Sequence, residues 1–121
     1  DNAVMDEFVA SVTALCAQTA SERSVTIAEP RRVSHAAPTP MSEMVTGVLA
    51  ESAQRIGATS RPMVSGAGHD AAFLSKVAPA AMIFIASKDG RSHAAEEWSD
   101  NDDIALGAAV LYEAVLALDK Q

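Results

Sequence analysis

The sequence has little of several residue types, and each shortage excludes a class of protein. A single cysteine, Cys16, can form no internal disulfide, which favours a reducing compartment and predicts a cytoplasmic protein. Nine Lys and Arg stand against sixteen Asp and Glu, and a formal net charge of −7 argues against a nucleic-acid partner, because clustered cations bind phosphate backbones. The longest apolar run, residues 77–86, is far short of the roughly 20 residues that span a bilayer, and no charged and then apolar leader is visible, so we expect no membrane partner.

What the sequence does contain is 121 residues of which 49% are hydrophobic, enough for one modest core. Apolar residues between Val4 and Thr19 recur at helical spacing and predict an amphipathic helix, with Cys16 as a small core residue. Residues 25–28 alternate like an edge strand that Pro30 interrupts. A proline-rich stretch follows, and we place a domain boundary there, dividing the chain into 1–37 and 38–121.

Beyond the boundary, helical and strand patterns alternate. Thr39 is a suitable N-cap for a helix with Pro40 in its first position, and Gly57 is suited to end that helix. The predicted elements that follow are a strand at 61–64, a helix at about 70–77, a strand at 81–87, and a last helix. This helix starts at the polar run 100–103, which holds three aspartates and Asn101, runs to 118 and is expected to be buried on two sides. This order predicts an α/β fold with a largely parallel sheet flanked by helices.

Two polar loops, each containing a histidine, follow the two predicted strands of the second region. The first reads SGAGHDA over residues 65–71, and the second reads GRSHAAEEWS over residues 90–99. Ligands of parallel sheets bind at the carboxyl ends of strands. We therefore expect the two loops to open on one edge of the sheet and to share a site.

The first loop suits a ligand that carries an anion or a polarised carbonyl. Gly66 and Gly68 let backbone N–H groups approach a ligand closely, and the following helix offers the positive end of its dipole. An ordinary strand-to-helix turn, with His69 and Asp70 as a hydrogen-bonded pair, explains the same residues. Both interpretations stay open.

The second loop suits a metal ligand. His93 lies among Ser92, Glu96 and Glu97, where a carboxylate can orient the imidazole of a metal ligand from the second coordination shell. Residue type alone also permits a histidine with no metal. His35, in the proline-rich stretch, is interpreted as a surface residue.

The two loops together resemble one family. SGAGHDA, the apolar run 81–85 after a proline, and GRSHAAEEWS before an acidic helix start are similar to the carboxy-terminal part of the hydantoinase/carbamoylase amidohydrolases of the M20 zinc peptidase clan. This family includes N-carbamoyl-L-amino acid hydrolase, allantoate amidohydrolase and beta-ureidopropionase. The resemblance is close over residues 40–121 and loose over the first helix and strand.

The resemblance implies a two-domain homodimeric enzyme in which a lid domain interrupts a catalytic domain that carries two divalent metal ions, zinc, manganese, cobalt or nickel. Residues 1–37 then match the last helix and strand of the lid, and 38–121 match the end of the catalytic domain. His93 matches the last metal-ligand histidine, and His69, Gly66 and Gly68 match the substrate-binding loop. Glu96 and Glu97 match the acidic pair after the ligand, and Arg91 is given no role.

The implied reaction is hydrolysis of a small ureido substrate to an amino acid, carbon dioxide and ammonia. The family's other metal ligands and its general base have no counterparts here, which predicts a carboxy-terminal fragment that is inactive alone. Such a fragment would expose a sheet edge and the apolar stripe of the first helix, so we expect it to self-associate. The alternatives are an allantoate amidohydrolase or beta-ureidopropionase, an M20 exopeptidase, and a non-catalytic α/β module that binds a small anion or a partner helix.

Overall fold

A computed structural model of the protein describes residues 2–120, and the chain divides into two compact units, Asp1–Thr39 and Pro40–Gln121. The first unit contains helix α1, Asn2–Arg23, which confirms that a helix forms there. None of its described residues is buried and Cys16 is only half-buried, so the expectation of Cys16 as a core residue is wrong. Ser24 ends α1 in a left-handed conformation with φ of 51°, and the Val25 N–H donates to the Ala20 carbonyl at 3.1 Å. This pairing resembles a Schellman closure, which satisfies a carbonyl at the helix end.

The rest of the first unit, residues 24–39, is irregular, so the edge strand predicted at 25–28 is not found. Arg32 forms an ion pair with Asp6 of α1 at 3.1 Å and lies 3.5 Å from the His35 ring. These contacts hold the irregular segment against α1. His35 is exposed, as the sequence predicted.

The second unit contains three α-helices and one turn of 3₁₀-helix: α2, Glu43–Arg55; α3, Ala71–Leu74; the 3₁₀-helix, Lys88–Gly90; and α4, Asn101–Leu118. The predicted start and end of α4 are confirmed, with Asp100 as N-cap and Asp102 and Asp103 in the first turn, where the helix dipole favours negative charge. Within residues 2–120, no helix has the length and the apolar character that crossing a membrane requires.

The start of α2 differs from the prediction that Thr39 caps it. Ser42 is the N-cap, and its hydroxyl accepts a hydrogen bond from the Val45 N–H at 3.4 Å. The Ser42 N–H donates to the Ala80 carbonyl at 2.8 Å, so this residue is held in an extended conformation and the helix begins after it. The predicted stop is confirmed, because Gly57 takes a left-handed φ of 74° that glycine adopts without strain.

The core of the second unit is the contact between α2 and α4. Their facing residues are buried, and an ion pair between Arg55 and Glu113 at 3.4 Å lies at its margin. The buried residues are Val48, Ser52 and Ala53 of α2 and Val110 and Ala114 of α4. Small side chains at Ser52, Ala53 and Ala114 let the two helices pack closely.

The expectation that α4 is buried on two sides is wrong for this chain. Leu111 is 53% exposed, Tyr112 is 64% exposed and Val115 is 55% exposed. The physical reason is that α2 covers one side of α4, and no second helix or sheet of the described chain covers the other. A cavity of about 240 Å³ lies open beside this region between α2, α4 and residues 81–83.

The predicted strands at 61–64 and 81–87 are not formed within residues 2–120. A strand exists only when a neighbouring strand accepts and donates its backbone hydrogen bonds, and the described chain offers no such ladder. Residues 81–83 are half-buried, whereas Phe84 and Ile85 are exposed, so this run is not the buried strand that its composition predicted. It still packs against α4, because Ile85 lies directly against Gly107. The parallel sheet stays a prediction.

Ser52 provides the first test of the α2–α4 core. It is 0% exposed and its hydroxyl has no hydrogen-bond partner. An unsatisfied buried hydroxyl costs about 1–3 kcal/mol, so Ser52→Ala is expected to raise the free energy of unfolding by about 1 kcal/mol in urea denaturation.

Ser42 of the same helix is the matched control. Its hydroxyl caps α2, so Ser42→Ala is expected to lower the free energy of unfolding by about 1 kcal/mol. If Ser52→Ala lowered the free energy of unfolding as much as Ser42→Ala does, the Ser52 hydroxyl would not be an unsatisfied group.

Candidate functional site

The first histidine loop is closed by the hydroxyl of Ser65. Ser65 Oγ lies 2.7 Å from His69 Nε2 and accepts a hydrogen bond from the Ala67 N–H at 3.2 Å. It also lies 3.3 Å from the Ala67 carbonyl oxygen. The backbone from 65 to 69 therefore folds around one side-chain oxygen, and the half-buried His69 ring is attached to that oxygen.

The His69 ring also contacts the apolar segment 81–87. Its centroid lies 5.4 Å from that of Phe84, and the two rings meet edge to face at 66°. Such an arrangement is favourable for aromatic rings and restricts rotation of the imidazole. Two separate parts of the chain thus orient the ring, Ser65 from its own loop and Phe84 from the segment that follows.

Gly66 and Gly68 have open space around them. Neither lies in the left-handed region, in contrast to Gly57 and Gly90, and a Cβ built at either position meets no atom within 4 Å. Backbone conformation and packing of the described chain therefore do not require glycine at 66 or 68. A group from outside the chain can approach the backbone there.

The helix that follows the first loop is shorter than predicted. Helix α3 covers only Ala71–Leu74 instead of about 70–77, and its N-cap Asp70 makes no capping hydrogen bond with its side chain. A single turn sums few peptide dipoles. The predicted contribution of this helix to anion binding is therefore not supported.

The second histidine loop is closed at its base. The Lys88 N–H donates to the Trp98 carbonyl at 2.8 Å, and Asp89, Gly90 and His93 all take positive φ within the loop. For His93, with φ of 58°, this is an unusual backbone conformation for a residue with a Cβ. Backbone strain of this kind is common at functional sites.

The partners of His93 differ from those expected. Ser92 Oγ lies 2.8 Å from His93 Nδ1, so the hydroxyl, and not a carboxylate, contacts the ring. Glu97 accepts a hydrogen bond from the His93 backbone N–H at 2.7 Å and so holds the positive φ. Glu96 is exposed. The structure thus brings Ser92 and Glu97 to His93 and leaves the Nε2 edge of the imidazole available to a ligand.

The part of the chain that the structure describes holds no cluster of metal-ligating side chains. Among residues 2–120, no group of three His, Cys, Asp or Glu side chains is placed to hold a metal ion. His93 is a suitable ligand by chemistry, but one imidazole is fewer than the three or four protein ligands that zinc sites use. A complete site would need ligands from outside this chain.

The structure connects the two loops through segment 81–87. His69 contacts Phe84 in this segment, and the 3₁₀-helix Lys88–Gly90 joins the segment to the second loop. Sequence reasoning identified both histidines but gave no role to Ser65, Ser92 or Phe84. The sequence does contain a signal for these contacts. Ser65 precedes His69 by four residues and Ser92 directly precedes His93, so each serine hydroxyl is within reach of an imidazole.

Comparisons with known proteins agree with one another. The model of peptidase family M20/M25/M40 matches residues 4–117. An N-carbamoyl-L-amino acid amidohydrolase of Geobacillus stearothermophilus is 35% identical over 115 residues, covering 95% of this chain and 28% of the relative. An N-carbamoyl-L-amino-acid amidohydrolase of Paenarthrobacter aurescens is 37% identical over 83 residues, covering 69% of this chain and 20% of the relative.

Two further comparisons extend this result. An allantoate amidohydrolase of Bacillus subtilis is 35% identical over 81 residues, covering 67% of this chain and 20% of the relative. A crystal structure of a provisionally assigned amidohydrolase/peptidase from Burkholderia cenocepacia superposes with a TM-score of 0.78 at 36% identity, covering 97% of this chain and 28% of that one. The chain therefore spans between a fifth and somewhat more than a quarter of the length of these relatives.

Proposed function

Because this chain belongs to peptidase family M20/M25/M40, we propose that it is the carboxy-terminal part of an amidohydrolase that acts on N-carbamoyl-L-amino acids. The observation that carries the proposal is the similarity to N-carbamoyl-L-amino-acid amidohydrolases, at 35% and 37% identity. The reaction is hydrolysis of the ureido C–N bond, which yields the amino acid, carbon dioxide and ammonia. Allantoate is the second candidate substrate, favoured by the Bacillus subtilis relative.

In the proposed enzyme the first loop binds substrate. His69, with its ring oriented by Ser65 and Phe84, is placed to hydrogen-bond a polar group of the ureido substrate. The open space at Gly66 and Gly68 lets backbone N–H groups approach the same molecule. The loop therefore positions the substrate, which is worth a large factor in rate when the reacting groups are held correctly.

In the second loop we propose that His93 contributes one ligand to a pair of divalent metal ions. Ser92 fixes the ring through Nδ1, which suits an imidazole that ligates through its other nitrogen. The remaining ligands and the general base would come from the part of the protein that this chain does not contain. Glu97 supports the loop backbone in this proposal, and Glu96 is placed at its exposed rim.

The finer features of the fold are part of the proposal. Segments 61–64 and 81–87 become strands when strands from outside this chain complete their hydrogen bonds, which produces the parallel sheet. Unit Asp1–Thr39 then corresponds to the end of the lid domain, and unit Pro40–Gln121 to the end of the catalytic domain.

The test compares the full-length protein with this chain. The full-length protein is expected to release ammonia from N-carbamoyl-L-amino acids, and the purified 121-residue chain is expected to show no turnover, because it holds a single candidate ligand. Ammonia release is measured with N-carbamoyl-L-amino acids and with allantoate, both with added Zn²⁺ or Mn²⁺. Turnover by the chain alone would refute its assignment as an inactive part. An inactive full-length protein would favour the non-catalytic binding module.

We also propose that the chain self-associates, as a homodimer or a larger assembly. Large apolar residues along one side of α4, namely Leu111, Tyr112 and Val115, are more than half exposed, and the open cavity beside them is lined by apolar residues. Contiguous apolar surface of this kind is rare on monomers. Sedimentation equilibrium is expected to give a mass above the monomer's 12.6 kDa, and Leu111→Glu is expected to reduce it. A monomeric wild-type chain would contradict this proposal.

A further inference from the structure

The hydroxyl of Ser65 has three neighbours and only one proton to donate. The Ala67 N–H donates to it at 3.2 Å, so this contact uses a lone pair of the oxygen. The proton can go to His69 Nε2 at 2.7 Å or to the Ala67 carbonyl oxygen at 3.3 Å. Which acceptor receives it decides which nitrogen of His69 is protonated.

The distances favour the imidazole as the acceptor. The 2.7 Å contact between Ser65 Oγ and His69 Nε2 fits a hydrogen bond in either direction. If Nε2–H donated, the hydroxyl proton would be left with the Ala67 carbonyl at 3.3 Å, which is beyond the usual range of about 2.5–3.0 Å for a hydroxyl donor, so donation to Nε2 is the arrangement that keeps a good acceptor for that proton. A hydroxyl that donates to Nε2 requires a lone pair on that nitrogen. Neutral His69 must then carry its proton on Nδ1.

We propose that Ser65 is a positioning residue that fixes neutral His69 as the tautomer protonated at Nδ1, so that the ring offers a hydrogen-bond donor at Nδ1. This deepens the proposed function and rests on it, because the substrate's carboxylate and ureido oxygens are acceptors that a neutral Nδ1–H can bind. The edge-to-face contact with Phe84 sets the plane of the ring, and Ser65 sets which nitrogen faces the loop. Together they determine the direction in which the donor points.

Nuclear magnetic resonance tests the tautomer without any enzyme activity. Long-range ¹H–¹⁵N correlation spectra of the ¹⁵N-labelled chain, recorded at alkaline pH where histidine is neutral, are expected to show His69 protonated at Nδ1 as the major form. Ser65→Ala is expected to shift the population to the Nε2-protonated form, and Ser65→Thr, which keeps the hydroxyl, is expected to restore it.

Ser92→Ala is the matched control, because its hydroxyl contacts His93 and not His69. This variant is expected to leave the His69 signals unchanged. A wild-type ring protonated mainly at Nε2 would overturn the proposal without any variant, and so would an unchanged tautomer in a folded Ser65→Ala chain.

Kinetics of the full-length protein separate positioning from a purely structural role. Ser65→Ala is expected to raise KM about threefold to tenfold with a smaller change in kcat, since it disorders a group that binds substrate, and Ser65→Thr is expected to restore KM. A purely structural role would reduce the fraction of active protein and leave KM unchanged. If N-carbamoyl-L-amino acids are not hydrolysed at all, the proposed function fails while the measured tautomer of His69 stands by itself.

Discussion

Gly107→Ala is expected to lower the free energy of unfolding of the second unit by about 1–2 kcal/mol. A Cβ at Gly107 would overlap with the Cγ2 methyl of Ile85, on the segment that packs against α4. Overpacking of this kind destabilises a protein by about 1–3 kcal/mol. Alanine is more favourable than glycine inside a helix by up to about 1 kcal/mol, which offsets part of this cost. Ile85 is branched at Cβ and has few alternative rotamers, so it cannot turn away without strain.

Gly47 is the matched control for this substitution. It is the interior glycine of α2, and a Cβ there meets nothing within 4 Å, so Gly47→Ala is expected to stabilise the unit by about 0.5–1 kcal/mol. Thermal melts of the two variants are expected to differ by roughly 10 °C or more.

A double-mutant cycle identifies the cause of the Gly107 effect. In an Ile85→Ala background the overlapping methyl is absent, so Gly107→Ala should become neutral or stabilising. If Gly107→Ala stabilises the wild-type chain as much as Gly47→Ala does, segment 81–87 does not pack against α4 in solution.

The contact between Gly107 and Ile85 also shows why some of the fold followed from the sequence and some did not. The start of α4 and the end of α2 are set by local signals, namely Asp100, Asp102 and Asp103 for α4 and the left-handed Gly57 for α2. The start of α2 depends on the Ala80 carbonyl, which is distant in sequence, and it was predicted wrongly. The strands predicted at 61–64 and 81–87 are not formed within residues 2–120, because a strand requires a hydrogen-bonded neighbour and an apolar pattern does not supply one.

The candidate site shows the same division. Glycine and polar residues around His69 and His93 identified the two loops, because loops that present imidazoles have a recognisable composition. The orientation of each ring depends on side-chain geometry that composition does not encode. Ser65 and Ser92, rather than Asp70 or the two glutamates, contact the rings, and Glu97 accepts a hydrogen bond from the His93 backbone instead.

The largest effect on activity is expected for His93. In the full-length protein, His93→Ala is expected to lower kcat/KM for N-carbamoyl-L-amino acids by more than about 100-fold. Removing a side chain that hydrogen-bonds a metal ligand already lowers metal affinity or activity by about 10–100-fold. Removing the ligand itself is therefore expected to lower activity by at least about 100-fold. The measurement is steady-state ammonia release, together with the metal content of the purified variant by atomic absorption.

Two further variants provide an intermediate case and a control for nonspecific effects of replacing a histidine. Ser92→Ala removes the hydroxyl bonded to His93 Nδ1 and is expected to cost about 10-fold, at the low end for such a partner. His35→Ala changes an exposed imidazole of the first unit and is expected to leave activity unchanged. This order follows because His93→Ala removes the imidazole itself, Ser92→Ala removes only the hydroxyl beside it, and His35→Ala changes neither. A His93→Ala protein as active as His35→Ala would contradict the proposed role of the second loop and leave His69 as the remaining candidate histidine of the proposed site.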